Sequence, residues 1–316
     1  MQTLTIKRPD DWHTHLREGL LMEAIIGYSS RRFNRCVAMP NLSKPITKWE
    51  SAIKYKKIIE SKTLNKNFKA LIPCYLTDDI DLENFHEGIV KNYFFGAKLY
   101  PINTTTNSKY GVRDIENIYP ALEMLEENNL PLLIHGEKTD HNISIFDREK
   151  YFIDNELSKI IGRFQNLKIV LEHVSSSYGA DFIAESGNNL ASTITLHHLI
   201  LTKKDVFNGT VNPHLYCMPV VKDEKDLISL RKYACSGHKS FFLGTDSAPH
   251  NILDKEKNKN FKPGIFTSPV SIEMYTSVFE EENSLDNLEK FASINGANFY
   301  NLLHNNDFLK LKKEDW

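Results

Sequence analysis

Cysteine is scarce in this chain and never clustered. Cys36, Cys74, Cys217 and Cys235 stand far apart with no C-x-x-C pair, which argues against a disulfide framework and against a cysteine-built zinc site. A surplus of one charge sign is also missing. Lysine and arginine total 39 against 41 aspartates and glutamates, a formal net charge of −2, and the signs alternate along the chain. Such a balance asks for neither nucleic acid nor an anionic membrane as partner. Long apolar runs are absent too: none approaches the ~20 residues that span a bilayer, and the stretch from Met1 to Pro9 has no signal core. The expectation is a soluble, unexported protein of a reducing cytoplasm. With no repeat, low-complexity tract or linker, residues 1–316 read as one domain.

What the chain does have is a succession of short apolar, β-branched or aromatic runs. They lie near 11–15, 34–39, 69–75, 94–99, 131–135, 168–172, 191–195 and 240–245. Between them fall stretches of helical periodicity such as 48–61 and 115–129, the second carrying Ile115, Ile118, Leu122 and Leu125 on one face. Eight strands alternating with helices predict a (β/α)8 TIM barrel, with a doubly wound open sheet nearly as well supported. The stretch from about 197 to 239 reads as an elaborated loop region.

The position of the polar residues favours the barrel. His13 and His15 are two apart, so a strand presents both on one face, and Arg17 continues that row if the strand persists. An H-x-H pair alone is a weak signal, because a buried histidine is more often hydrogen-bonded core than ligand. Yet Lys98, His135, His173 and Asp246 each close or follow another predicted strand. In a barrel these ends converge on the carboxyl face, where the fold places its chemistry. Each could serve its own strand end as a cap or snorkel outward; these four and the His13–His15 pair, five strand ends in all, doing so independently at one end is the poorer account. Imidazole and carboxylate suit Zn²⁺ in an open catalytic site. Lys98 does not fit that set, since an ammonium group repels a cation.

Taken together, the stretches Asp11 to Arg17, Met39 to Leu42, Ala97 to Pro101, Thr105 to Ser108, Ile134 to Glu137, Leu171 to His173, His214 to Pro219 and Leu243 to His250 resemble the amidohydrolase superfamily. More closely they resemble its type II bacterial dihydroorotases, and in the same order along nearly the whole chain. The resemblance implies that Lys98 is carboxylated, becoming an anionic N6-carboxylysine that bridges two Zn²⁺. It implies one zinc on His13, His15, Lys98 and Asp246, the other on Lys98, His135 and His173, and Asp246 as the catalytic proton relay. Arg17, Asn41 and His250 match positions that hold a substrate carboxylate. Thr105 and Thr106 match the tip of a mobile loop, although a Thr/Asn/Ser run is also an ordinary solvated turn. Met218 matches a backbone contact to the ring, as does Pro263, where the match is poorer. The implied reaction interconverts dihydroorotate and N-carbamoyl-L-aspartate in pyrimidine biosynthesis, and the family suggests a homodimer.

The nearest alternative, a dihydropyrimidinase or allantoinase, shares the metal ligands but needs no carboxylate pocket, so Arg17, Asn41 and His250 discriminate. A catalytically silent binding homologue would have lost ligands, and none is missing here. His86, His141, His238 and His304 read as surface or loop positions. His197, His198 and His214 match no ligand position. Ala292 to Ala297 reads as a structural segment leading into a late helix.

Overall fold

A computed structural model describes residues 2–63, 65–140, 142–257 and 260–315; His141 lies outside them. Its strands are β1 (Thr3–Lys7), β2 (Asp10–Thr14), β3 (Arg35–Ala38), β4 (Lys69–Leu71), β5 (Cys74–Tyr75), β6 (Ala97–Leu99), β7 (Pro131–His135), β8 (Lys168–Glu172), β9 (Leu190–Ile194), β10 (Phe241–Leu243) and β11 (Phe308–Lys312). One parallel sheet runs β2-β3-β4 and another runs β5 to β10 in sequence order.

These two sheets are the halves of one barrel. The run 69–75 is not a single strand: Pro73 has no N–H to give to the ladder, so the chain pairs with β3 before it and with β6 after it. At the other seam the Asp246 N–H donates to the His13 carbonyl at 2.8 Å and the His15 N–H to the Ser247 carbonyl at 3.0 Å. With β4 and β5 counted as one broken strand, eight parallel positions close into the (β/α)8 barrel. The strand expected over 94–99 starts only at Ala97, because Gly96 takes a positive φ of 153° that suits glycine.

Inside the barrel Trp12, Val37, Met39, Leu133, Val170, Ala191 and Phe242 form an apolar plug. Trp12 meets Phe242 edge-on at 6.3 Å and tilts against Tyr300 at 4.7 Å. Gly296 makes this possible, since a β-carbon there would stand 2.1 Å from the Trp12 indole nitrogen. The segment read as structural thus packs against the residue preceding His13.

The helix expected over 48–61 forms at Trp49–Lys62 and buries Ala52, Tyr55 and Ile59. That expected over 115–129 opens as a 3-10 turn, Ile115–Ile118, and continues as Tyr119–Glu127 with Pro120 in its first turn; all four apolar positions are buried. The region 197–239 holds more order than a loop: helix Leu196–Ile200 and the twelve-residue helix Glu224–Cys235 lie in it. Strands β1 and β11, not expected from sequence, pair antiparallel outside the barrel. Among the described residues no helix is long and apolar enough to cross a membrane.

Candidate active site

The carboxyl ends of the strands bring the expected residues together. His13, His15, Arg17, Asn41, Thr105, Thr106, His135, His173, Met218, Asp246 and Pro263 line one cleft, joined by Tyr100, Ala248 and Gly264. His250 stands behind Arg17. Lys98 lies beneath, fully buried, in register with Leu133, whereas His135 is in register with Glu172. The lysine therefore sits one inward-facing layer below the histidine. A roomier groove of about 510 Å³, between β1, β11 and helix Ser271–Glu281, gathers no comparable set of ligating side chains.

His13, His15 and Asp246 form one group whose ligand atoms lie within 4.8 Å of one another, and His13, Glu172 and His173 form a second. Asp246 Oδ1 is 3.0 Å from His15 Nε2 and 3.3 Å from His13 Nε2. His13 Nδ1 is 3.0 Å from Glu172 Oε1. Neither His13 contact has hydrogen-bond alignment, and His173 Nδ1 is likewise buried without a partner. Buried polar atoms rarely go unpaired; crowded, misaligned donors of this chemistry fit a cation among them.

Electrostatics agree. Burial lowers the pKa of His13, His15, His135 and His173, His15 to about 4, leaving neutral imidazoles whose lone pairs can ligate. Burial works to raise the Asp246 carboxyl, but interactions with His13 and then His15 outweigh it and hold it well below the ordinary value. Burial also drives the Lys98 ammonium far below its usual range, favouring a free, nucleophilic amine.

Three residues here adopt left-handed backbone: Arg17 (φ 58°), His173 (φ 45°) and Asp246 (φ 44°). Non-glycine residues in that region carry strain, which collects at functional sites. For Arg17 the turn has a direct consequence. The β2 strand ends at Thr14, so Arg17 does not continue the His13–His15 row; the turned backbone delivers its side chain to the cleft. There Nε donates to the Pro249 carbonyl at 2.9 Å and Nη2 reaches His250 Nε2 at 3.0 Å. His250 Nε2 is also 2.9 Å from the Pro263 carbonyl. A neutral imidazole nitrogen serves one of these contacts at a time, accepting from Arg17 or donating to Pro263. Burial, with the Arg17 charge, lowers His250 to about 3, so it is neutral.

Asn41 accepts from His15 Nδ1 at 2.9 Å and donates to the Thr106 carbonyl at 3.0 Å. Asn107 donates to the Asn41 carbonyl at 2.9 Å. The 103–108 loop is thus tied to the residue that orients His15. Three carboxylates that sequence reasoning passed over support the set. Asp11 accepts from the Thr245 N–H at 2.9 Å, the Thr245 hydroxyl at 2.7 Å and the His13 N–H at 3.2 Å. Glu137 faces His135 Nε2 at 2.8 Å, and Glu172 contacts both Lys98 and His13. Their signal was present, one carboxylate within two residues of each histidine motif. His214 is exposed and 3.1 Å from Glu256, and His86 and His304 are exposed. His197 and His198 are buried.

A barrel with strand-end histidines, a buried lysine and an aspartate defines a class, and residues 10–313 match the amidohydrolase family. The chain belongs to that family. A dihydroorotase of Aliivibrio fischeri is 45% identical over all of this chain and 92% of its own length. The solved dihydroorotase of Campylobacter jejuni is 36% identical with a TM-score of 0.87, covering 98% of this chain and 87% of that one. That of Saccharomyces cerevisiae, solved with 5-fluoroorotic acid, is 34% identical with a TM-score of 0.90, covering 96% and 86%. Within the family the chain falls with the dihydroorotases.

Proposed function

We propose that this chain hydrolyses and re-forms the cyclic amide of dihydroorotate, interconverting it with N-carbamoyl-L-aspartate, a step of pyrimidine biosynthesis. The observation that carries the reading is Arg17. Its partly buried guanidinium lines the cleft beside the His13, His15 and Asp246 group and, among the described residues, forms no ion pair. Burial lowers it only to about 10, so it stays charged. A cation held out of water without a counter-ion is costly, and a substrate carboxylate supplies one with fork geometry. His250 and Asn41 flank that position. The carboxylated pyrimidine named with the yeast relative, 5-fluoroorotic acid, has matching chemistry.

The imidazole and carboxylate donors suit Zn²⁺: His13, His15, Lys98 and Asp246 would hold one ion, and Lys98, His135 and His173 a second. Lys98 would bridge them as a carbamate: its neutral amine attacks CO₂, an N–C bond forms, and a proton leaves the nitrogen. Bound there, zinc would supply Lewis acidity to the ring carbonyl and to the attacking water. Asp246 accepts the proton of the attacking water and returns it to the departing ring nitrogen. Arg17 and His250 hold the carboxylate, Met218 and Pro263 wall the ring, and Thr105 and Thr106 close the mouth and exclude water. A cytoplasmic homodimer with one barrel domain over 1–316 completes the proposal; sedimentation tests its oligomeric part.

The deciding assay compares zinc-loaded protein on dihydroorotate, dihydrouracil and allantoin. Dihydroorotate should be turned over fastest, and Arg17→Met should erase that preference. Faster turnover of dihydrouracil or allantoin overturns the substrate assignment. Asp246→Asn should lower turnover by about 10²–10⁴-fold with metal retained; normal turnover at full metal content rejects the relay.

A further inference from the structure

A second cluster of soft ligands stands apart from the set just described. His197, His198 and Cys217 each offer one ligand atom, all within 4.8 Å of one another, and all three side chains are buried. The His197 and His198 rings lie 4.7 Å apart. Neither ring nitrogen of His197 has a hydrogen-bond partner, although the residue is only 1% exposed. Leaving a buried imidazole unsatisfied is costly, and nothing in the proposed reaction uses it.

His198 is already oriented as a ligand would be. Its Nε2 is 3.1 Å from the Pro219 carbonyl and its Nδ1 is 2.7 Å from the Thr195 hydroxyl. Because a carbonyl only accepts, Nε2 carries the proton and Nδ1 the lone pair. A ring that donates one N–H to a backbone carbonyl and keeps the other nitrogen basic is the usual state of a metal-bound histidine. The Thr195 hydroxyl, a rotor, is the single partner that must turn away. Cys217 Sγ touches the Pro219 carbonyl at 3.3 Å, so the thiol sits on the same segment.

We propose that His197, His198 and Cys217 form an additional binding site for a thiophilic cation of the zinc class. Two imidazoles and a thiolate are a soft set, unlike the imidazole, carboxylate and lysine set of the cleft. On binding, the S–H bond of Cys217 breaks, its proton passes to buffer, and a sulfur–metal bond forms; each histidine gives one lone pair. Burial pushes the free Cys217 thiol up to about 12, so loading is proton-coupled and strengthens as pH rises. The ion would pin helix Leu196–Ile200 to the segment 217–219 and so fix Met218, which lines the cleft.

Cobalt substitution tests this independently of any reaction. The cleft set holds no thiol, so a thiolate-to-cobalt charge-transfer absorption in Co²⁺-loaded protein reports this cluster. Expected is such a band in the wild type, lost in Cys217→Ser and in His197→Gln, with one metal fewer per chain by elemental analysis. Cys235→Ser and His214→Gln should keep both band and metal. Should Cys217→Ser fail to fold, His197→Gln decides by the same two readouts. A wild type without the band, or a band and metal count unchanged in His197→Gln, overturns the proposal.

Discussion

Two regions of the barrel interior, stacked one on the other, follow opposite rules. The lower holds Trp12, Leu133, Val170 and Phe242 in an apolar plug, where each side chain adds area removed from water, worth about 1.5–3 kcal/mol when fully buried. Two residues along the same strand, Leu133 gives way to His135. The upper layer buries histidines and carboxylates, with the Lys98 side chain reaching up from the level of Leu133 to Glu172, at a desolvation cost that the folded chain offsets elsewhere. Stability lives in the first region and chemistry in the second. Substitution should separate them.

The largest effect is expected at Lys98. Lys98→Ala should abolish turnover and lower metal content while folding is kept or improved, since a buried amine is removed from a barrel its neighbours still fill. A variant that still holds two zincs per chain would show that Lys98 does not bridge. Phe242→Ala breaks the other side of the comparison. It empties the plug and should cost about 3–5 kcal/mol in denaturant unfolding, with turnover per folded molecule retained. A smaller effect belongs to the carboxylates that hold the histidines. Glu137→Gln should weaken metal affinity about 10–100-fold in competition with a chelator, with unfolding in the metal-free protein little changed.

The same contrast explains what could be read from sequence. Strand-end residues were legible because a polar residue closing an apolar run is conspicuous, as with His135 after Leu132, Leu133 and Ile134. The break at Pro73 was legible only in principle, since a proline inside an apolar run leaves open which neighbours the strand takes. Strands β1 and β11 were not legible: Thr3 pairs with Lys312, and nothing local announces a partner at that separation. Helix Glu224–Cys235 was hidden because it buries few apolar residues, chiefly Leu230 and Ala234. Asp11, Glu137 and Glu172 were in view but looked like ordinary charge, because a carboxylate's role depends on what folds against it. Arg17 reached its expected place by an unexpected route, a left-handed turn in place of a continued strand.

The smallest expected effect sharpens the boundary between the layers. Asp11 sits beside Trp12 of the plug yet holds His13 and Thr245 of the site. Burial raises its carboxyl from 3.8 to about 6, against hydrogen bonds from Thr245 and His13 that lower it. Between about pH 4 and 6 the folded chain therefore keeps a proton that the unfolded chain has released. Stability from this group is present below that window and is lost as pH rises through the folded pKa. Asp11→Asn preserves the shape and can keep the hydrogen bonds, because the Thr245 hydroxyl can accept as well as donate. Unfolding of metal-free wild type and variant should then diverge across the window by on the order of 1–2 kcal/mol, the variant gaining relative to wild type as pH rises. A constant difference from pH 4 to 6 would mean that Asp11 is ionised throughout, and that it belongs electrically to the site above rather than to the plug beside it.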